Sequence, residues 1–393
     1  MKIYKEGYIA VFLCLALTLA GCRTIEIMKD TLEFYGANKD RSSSSAQKSV
    51  VEVKGEEDAF FKKFQQDESI KYYGYEQLGS ERQISLYNDI YSVIEGQAEG
   101  ITFAAVEYSP DDIADMFRTV MTDHPELFYT TAYKLIKNYK NEELISMKFE
   151  PVYDMNHDIV KEYKQKLATV GGNILGTTQG MSNDYEKIKF FYTYLIHNAV
   201  YDIKAINSQN IVSALIDKET VCQGYSKAFQ YLCQKSGINC TLVTGRANGQ
   251  AHSWNYVECE GRGYWVDVTW GTSDYSGSVN YENFMITDTE IKKTHEITSE
   301  ITSELKECNS NEYNYYIQEG LYLECYDYDT VKAYAEQCMK KNDFITFKCK
   351  NFEVFSNAYQ DLFQNEMIFE ILPDVENVEY SLNEDLYVIN VYI

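Results

Sequence analysis

None of the ten cysteines stands in a Cys-x-x-Cys pair, so the spacing of a structural zinc site is missing. There is no glycine-rich phosphate loop, no EF-hand pattern and no period of a repeat architecture. The apolar run over residues 8–19 falls short of the about 20 residues that a membrane-spanning helix needs. Cationic charge is also short. Thirty-six Lys and Arg against 60 Asp and Glu leave a net charge of −24. That excludes nucleic acid as a partner, because phosphates require a cationic surface, and it disfavours electrostatic docking on an anionic membrane. Acidity of this size serves solubility and would steer a cationic substrate. The remaining composition, 45% hydrophobic and 24% charged, is that of a globular protein.

The chain divides by pattern. Residues 1–22 read as a targeting segment: Lys2 and Lys5, the apolar run, then Leu19-Ala20-Gly21-Cys22. That ending resembles a bacterial lipobox. The resemblance implies cleavage before Cys22, diacylglycerol on its sulfur, and a mature protein anchored to the membrane on the bacterial cell surface. A plain secretory peptide or a short anchor is the alternative. Residues 23–58, with four consecutive serines after Arg41, read as a flexible tether. Residues 59–155 form an α+β accessory domain, with helices over 81–94 and 110–121, strands over 101–106 and 144–149, and no catalytic constellation. His124 suits capping or packing near a turn. Residues 156–290 hold the core, opening with a helix over 158–170 ended by Gly171-Gly172 and a second over 183–198. Residues 295–393 read as a C-terminal α/β domain of order β-α-β-α-β-β.

Chemistry concentrates after residue 220. Cys222 follows a β-branched, polar run and opens a helical pattern carried by Ala228, Phe229, Tyr231, Leu232 and Cys233, and Gly237 sits where a glycine stops a helix. A thiol at a helix N-terminus meets unpaired N–H groups and the positive end of the dipole, which favour the nucleophilic thiolate. Residues 251–259 and 264–270 read as a hairpin about Glu260-Gly261. In that register His252 opposes Thr269 and Trp254 opposes Asp267, so His252 and Asp267 share a face as diagonal neighbours. Cysteine, histidine and aspartate then supply nucleophile, base and orienting group.

The strings VCQGYSKAFQYLCQKSGI, AHSWNYV and GYWVDVTWG resemble the core of the transglutaminase-like superfamily, papain-like cysteine enzymes. The resemblance, which covers about residues 180–290, implies an α+β fold in which the helix bearing the cysteine packs on an antiparallel sheet bearing His and Asp; the pattern of the chain adds the α/β accessory domains on both sides. It implies Cys222 as nucleophile, His252 as general base and Asp267 as its orienter. HPELFYT, after Asp123, resembles a segment found upstream of such cores. Tyr201 is carried over as a site-wall or oxyanion candidate, with packing as the alternative. Gln223 and Trp254 complete the cleft candidates. Trp254 is preferred over Trp265 and Trp270 because it shares the face of His252.

The activity implied is acyl transfer through a Cys222 thioester, resolved by water (peptidase or amidase) or by an amine (cross-linking). The expected substrate is a peptide or protein, with cell-wall peptide as the candidate suggested by the compartment. No cofactor is expected. A metal held by Cys222, His252 and Asp267 uses permitted ligand types, but a helix-start thiol suits nucleophilic catalysis better. The alternative function is a non-catalytic surface module that binds peptides or glycans. With Cys14 in the leader, Cys22 lipidated and Cys222 catalytic, seven cysteines remain. An odd set reads as buried free thiols rather than a disulfide framework.

Overall fold

The computed structural model describes residues 2–4 and 64–393, apart from 141, 206–207, 274–277, 300–303 and 341–343. The cleavage site, Cys22 and the tether over 23–58 lie outside the described residues. Of residues 1–22 only the backbone strand β1 (Lys2–Tyr4) is described. Among the described residues no helix is long and apolar enough to cross a membrane.

Among the described residues, three larger sheets and one two-stranded pair, with their helices, make an α+β molecule. In the first, helix α1 (Glu81–Glu95) starts where Ser80 accepts the Gln83 N–H, and β2 (Ile101–Ala104) follows. Helix α2 (Pro110–Asp123) has proline in its first turn and a reciprocal Ser109–Asp112 capping box. Strands β3 (Thr130–Lys140) and β4 (Glu143–Tyr153) complete an antiparallel sheet of order β2-β4-β3. His124 ends α2, buried, with Nε2 2.8 Å from the Tyr87 hydroxyl and Nδ1 2.9 Å from Glu126.

The core begins with α3 (His157–Thr177). This helix runs through Gly171 and Gly172 instead of ending there. Each glycine costs about 1 kcal/mol relative to alanine, but the buried face continues to Ile174, and Gly171 lies against the Tyr231 ring. Tertiary packing therefore overrides the local stop. Helix α4 (Asp184–Asn198), capped by Asn183, leads into β5 (Val200–Tyr201), which pairs in parallel with β6 (Glu219–Thr220). Helix α5 (Cys222–Lys235) comes next. Gly237, at φ +74°, closes it: Gly237 N–H donates to Gln234 and Ile238 N–H to Cys233, a Schellman pattern.

Strands β7 (Cys240–Ala247), β8 (Gln250–Cys259), β9 (Arg262–Val266), β10 (Phe284–Ile286) and β11 (His295–Ile297) form an antiparallel sheet of order β10-β9-β8-β7-β11. Both β8 flanks are tight two-residue turns at positive φ, Asn248–Gly249 and Glu260–Gly261. The β8–β9 register runs from Cys259 opposite Arg262 to Asn255 opposite Val266. The second strand was expected to reach residue 270. It stops at Val266, and residues Thr269–Gly271 form a 3-10 turn. β11 also corrects a boundary, since residues 295–297 belong to the core sheet through β7 rather than to the C-terminal unit.

That last unit contains β12 (Tyr322–Leu323), α6 (Tyr328–Met339), β13 (Phe344–Cys349), α7 (Phe352–Tyr359), β14 (Asn377–Asn383) and β15 (Val388–Tyr392). Its sheet has the order β1-β14-β15-β13-β12. A chain processed at Cys22 would lack β1.

Candidate active site

Helix α5 and the core sheet meet at Cys222. The helix is locked down from both sides. Ser226 Oγ donates 3.0 Å to the Ser253 carbonyl, and Asn255 Nδ2 donates 2.9 Å to the Ser226 carbonyl. On the opposite flank Gln230 and Gln234 donate to the Thr122 and Asp123 carbonyls at the end of α2. Gly224 is a close-approach glycine: a Cβ there would lie 1.9 Å from Thr220 Oγ1 and 2.6 Å from the Ser208 carbonyl. Any side chain would push the first turn, and Cys222 with it, away from β6.

Cys222 occupies the first helical position, 5% exposed, and no side chain caps the N-terminus. Its earliest N–H groups lack intrahelical acceptors and point where an anion would form. The thiol hydrogen-bonds His252. The imidazole Nε2 is 2.8 Å from Asp267 Oδ2, which leaves Nδ1 for the sulfur. Asp267 is fully buried. Its Oδ1 accepts the backbone N–H groups of Thr269 (2.9 Å) and Trp270 (3.3 Å). Its own N–H donates 2.9 Å to the Asn283 carbonyl. The early end of β9 thus creates the turn whose N–H groups grip the carboxylate.

A fourth residue completes the cluster. His295, on β11 and 3% exposed, places Nε2 3.2 Å from the same Asp267 Oδ2, and its Nδ1 lies 2.8 Å from Thr294 Oγ1. Sequence reasoning missed it, because His295 lies far along the chain in a segment assigned to another domain. Its one signal was rarity, as the chain has five histidines.

The electrostatics follow from these contacts. Burial pushes the Cys222 thiol up, but the hydrogen bond and charge of His252, aided by Ser253, outweigh it and hold the thiol below its ordinary value. Burial acts to lower His252, yet Asp267 and Cys222 push it up to about 10. Burial would raise Asp267, and His252 with His295 hold it well below the usual carboxylate range. The arrangement favours a thiolate–imidazolium pair.

His252, Asp267 and His295 could also be considered as metal ligands, since their donor atoms lie within 4.8 Å of one another. Their separations of 2.8 and 3.2 Å are hydrogen-bond lengths, and a metal there would replace the Asp267 hydrogen bond that orients His252.

Gln223 borders the cleft that opens over Cys222. Tyr201 approaches Cys222 from outside that cleft. Burial, then the Cys222 and Asp267 charges, push its hydroxyl up to about 12. Trp254, expected as a cleft wall, is instead fully buried behind the site. Its ring stacks on His252 at 6.0 Å and meets His295 edge-on at 4.7 Å. Trp265 is core, donating 2.7 Å to Asp288. The other described cysteines form no disulfide, and all but Cys325 are buried.

The family model of the transglutaminase-like superfamily matches residues 174–269. Two relatives, described as kyphoscoliosis peptidase, are 28% identical in Mus musculus and 29% identical in Homo sapiens over 111 residues. Each alignment covers 24% of this chain and 17% of the relative, so the chain spans a small part of those proteins. A solved structure described as a TGase is 15% identical with a TM-score of 0.25, covering 38% of this chain and 47% of its own. At its centre the chain carries a domain of the transglutaminase-like superfamily.

Proposed function

We propose that this protein is a cysteine acyl-transfer enzyme acting on peptides or proteins, with Cys222 as nucleophile, His252 as general base and acid, and Asp267 as orienter. The observation that supports it best is a helix-start thiol hydrogen-bonded to an imidazole that a sealed carboxylate holds at 2.8 Å.

The Cys222 thiolate attacks an amide or ester carbonyl carbon, and a C–S bond forms. N–H groups at the start of α5, that of Cys222 included, stabilise the oxyanion. His252 gives its proton to the leaving amine or alcohol as the C–N or C–O bond breaks, leaving a thioester. Water or an amine then attacks, His252 takes the attacking group's proton, and the C–S bond breaks with sulfur returning as thiolate. Water yields hydrolysis and an amine yields a cross-link. The lipobox-like ending at Cys22 supports a place at the bacterial surface, where cell-wall peptides and surface proteins are within reach.

The test is intact-protein mass spectrometry after mixing with N-acetylated peptide amides and esters, with and without a primary amine. An acyl adduct on Cys222 that is absent in Cys222→Ala, with free acid or amide as product, is expected. Peptide binding with neither adduct nor product would favour the non-catalytic binding module.

A further inference from the structure

The cleft over Cys222, about 460 Å³, is bordered by Arg118, Lys227 and Arg246 and, among the described residues, by no carboxylate. In a chain with 60 acidic against 36 basic residues, an acid-free lining is a marked local reversal. It contradicts the expectation that overall acidity steers a cationic substrate, because a low-dielectric cleft focuses the field of its own lining.

Lys227 is the informative member. It lies on α5 one turn beyond Gln223, on the same helix face, and both residues border the cleft. It is 6% exposed. Buried lysines are ordinarily paired, because an isolated ammonium is costly to desolvate. The other buried lysine of the described core, Lys348, obeys this rule with Glu290 at 2.6 Å. Among the described residues no carboxylate pairs with Lys227. Burial alone acts on it, pushing it down to about 8. The remaining two cations differ from it: Arg118 is exposed and paired with Asp115, while exposed Arg246 donates 2.9 Å to the Gly249 carbonyl.

We propose that Lys227, flanked by Arg246, is a carboxylate-binding subsite of the Cys222 cleft, so that the substrate is an acidic peptide whose carboxylate pairs with Lys227 while its acyl carbon meets Cys222. This deepens the acyl-transfer reading and rests on it. The carboxylate comes from a Glu or Asp side chain or from a free peptide C-terminus. Either supplies the partner the ammonium lacks.

The experiment measures how peptides slow iodoacetamide labelling of Cys222 in the full chain. Three probes of one length are compared: acetyl-Gly-Gly-Glu-Gly-Gly-amide, its Gln counterpart, and the Gln peptide with a free C-terminus. The labelling rate without peptide reports on the nucleophile, and the ratio between peptides reports on the subsite, so the two readings fail separately. At least tenfold tighter protection by one acid-bearing peptide over the neutral amide is expected, and which one protects identifies the source of the carboxylate. Lys227→Met should abolish the preference and Lys227→Arg should keep it. Equal protection by all three peptides, protection by none, or a preference that survives Lys227→Met would overturn the subsite. The wild-type ratio decides even if Lys227→Met does not fold.

Discussion

Cys222 and Cys233 lie on one helix, both buried and three turns apart, and they titrate in opposite directions. Cys233, packed against Cys240 in the core, is pushed far above its ordinary value by burial and by that neighbouring thiol. Cys222 suffers the same burial, yet falls below its ordinary value because His252 answers it. The helix contributes at Cys222 too, since Cys222 opens it at the positive end of the dipole, whereas Cys233 sits where the dipole turns negative. Reactivity is therefore a property of partners, not of the residue type or its burial. Two buried carboxylates teach the same lesson. Asp123 has one histidine, His124, beside it and accepts three hydrogen bonds at the end of α2, and is still raised by burial, while Asp267, sealed as deeply, is depressed by two histidines.

The comparison breaks most sharply at the nucleophile. Cys222→Ala should reduce peptide turnover by at least about 10⁴-fold, measured as initial rates with a peptide that wild type processes. Next comes His252→Ala, which should lower turnover by about 10³-fold and make Cys222 titrate upward, as Cys233 does, because burial would then act unopposed. Asp267→Asn should cost about 10²-fold or more, with the alkaline limb of the pH profile moving down as His252 loses its counter-charge. In wild type that limb should lie near pH 10, where the imidazolium loses the proton needed by the leaving group. The acid limb lies at the depressed Cys222 value, below which the thiol is protonated and inert.

His295→Gln should lower kcat by about tenfold through one lost hydrogen bond to a charged group, with KM little changed. An unchanged kcat and pH profile would make His295 packing alone. Smallest of all, Cys233→Ala should leave turnover within about threefold while costing about 1 kcal/mol of stability in urea unfolding.

Much of this site is written in local pattern. Cys222 and Gly237 bracket α5 by start and stop chemistry, and the Glu260–Gly261 turn sets the β8–β9 register that brings His252 and Asp267 to one side. What local pattern misses depends on distant chain. The end of β9 at Val266 is fixed by the Asp267 N–H bonding to Asn283, in another segment. His295 enters through an edge strand paired with β7. Gly171-Gly172 reads as a helix stop until the Tyr231 ring is placed beside it. Trp254 alternates with His252 as a cleft wall would, yet the face they share is covered by His295 and the residues behind it. Lys227 reads as an ordinary polar position on α5 until burial and the missing counter-ion are seen together.

The most direct test follows alkylation of Cys222 and Cys233 in one native sample across pH, resolved by peptide mapping, in wild type and His252→Ala. Fast Cys222 labelling that titrates below the ordinary cysteine value of about 8.5, with Cys233 silent, and loss of that low titration in the variant are expected. Cys222 labelling that titrates at or above the ordinary value and is indifferent to His252 would contradict the thiolate–imidazolium pair.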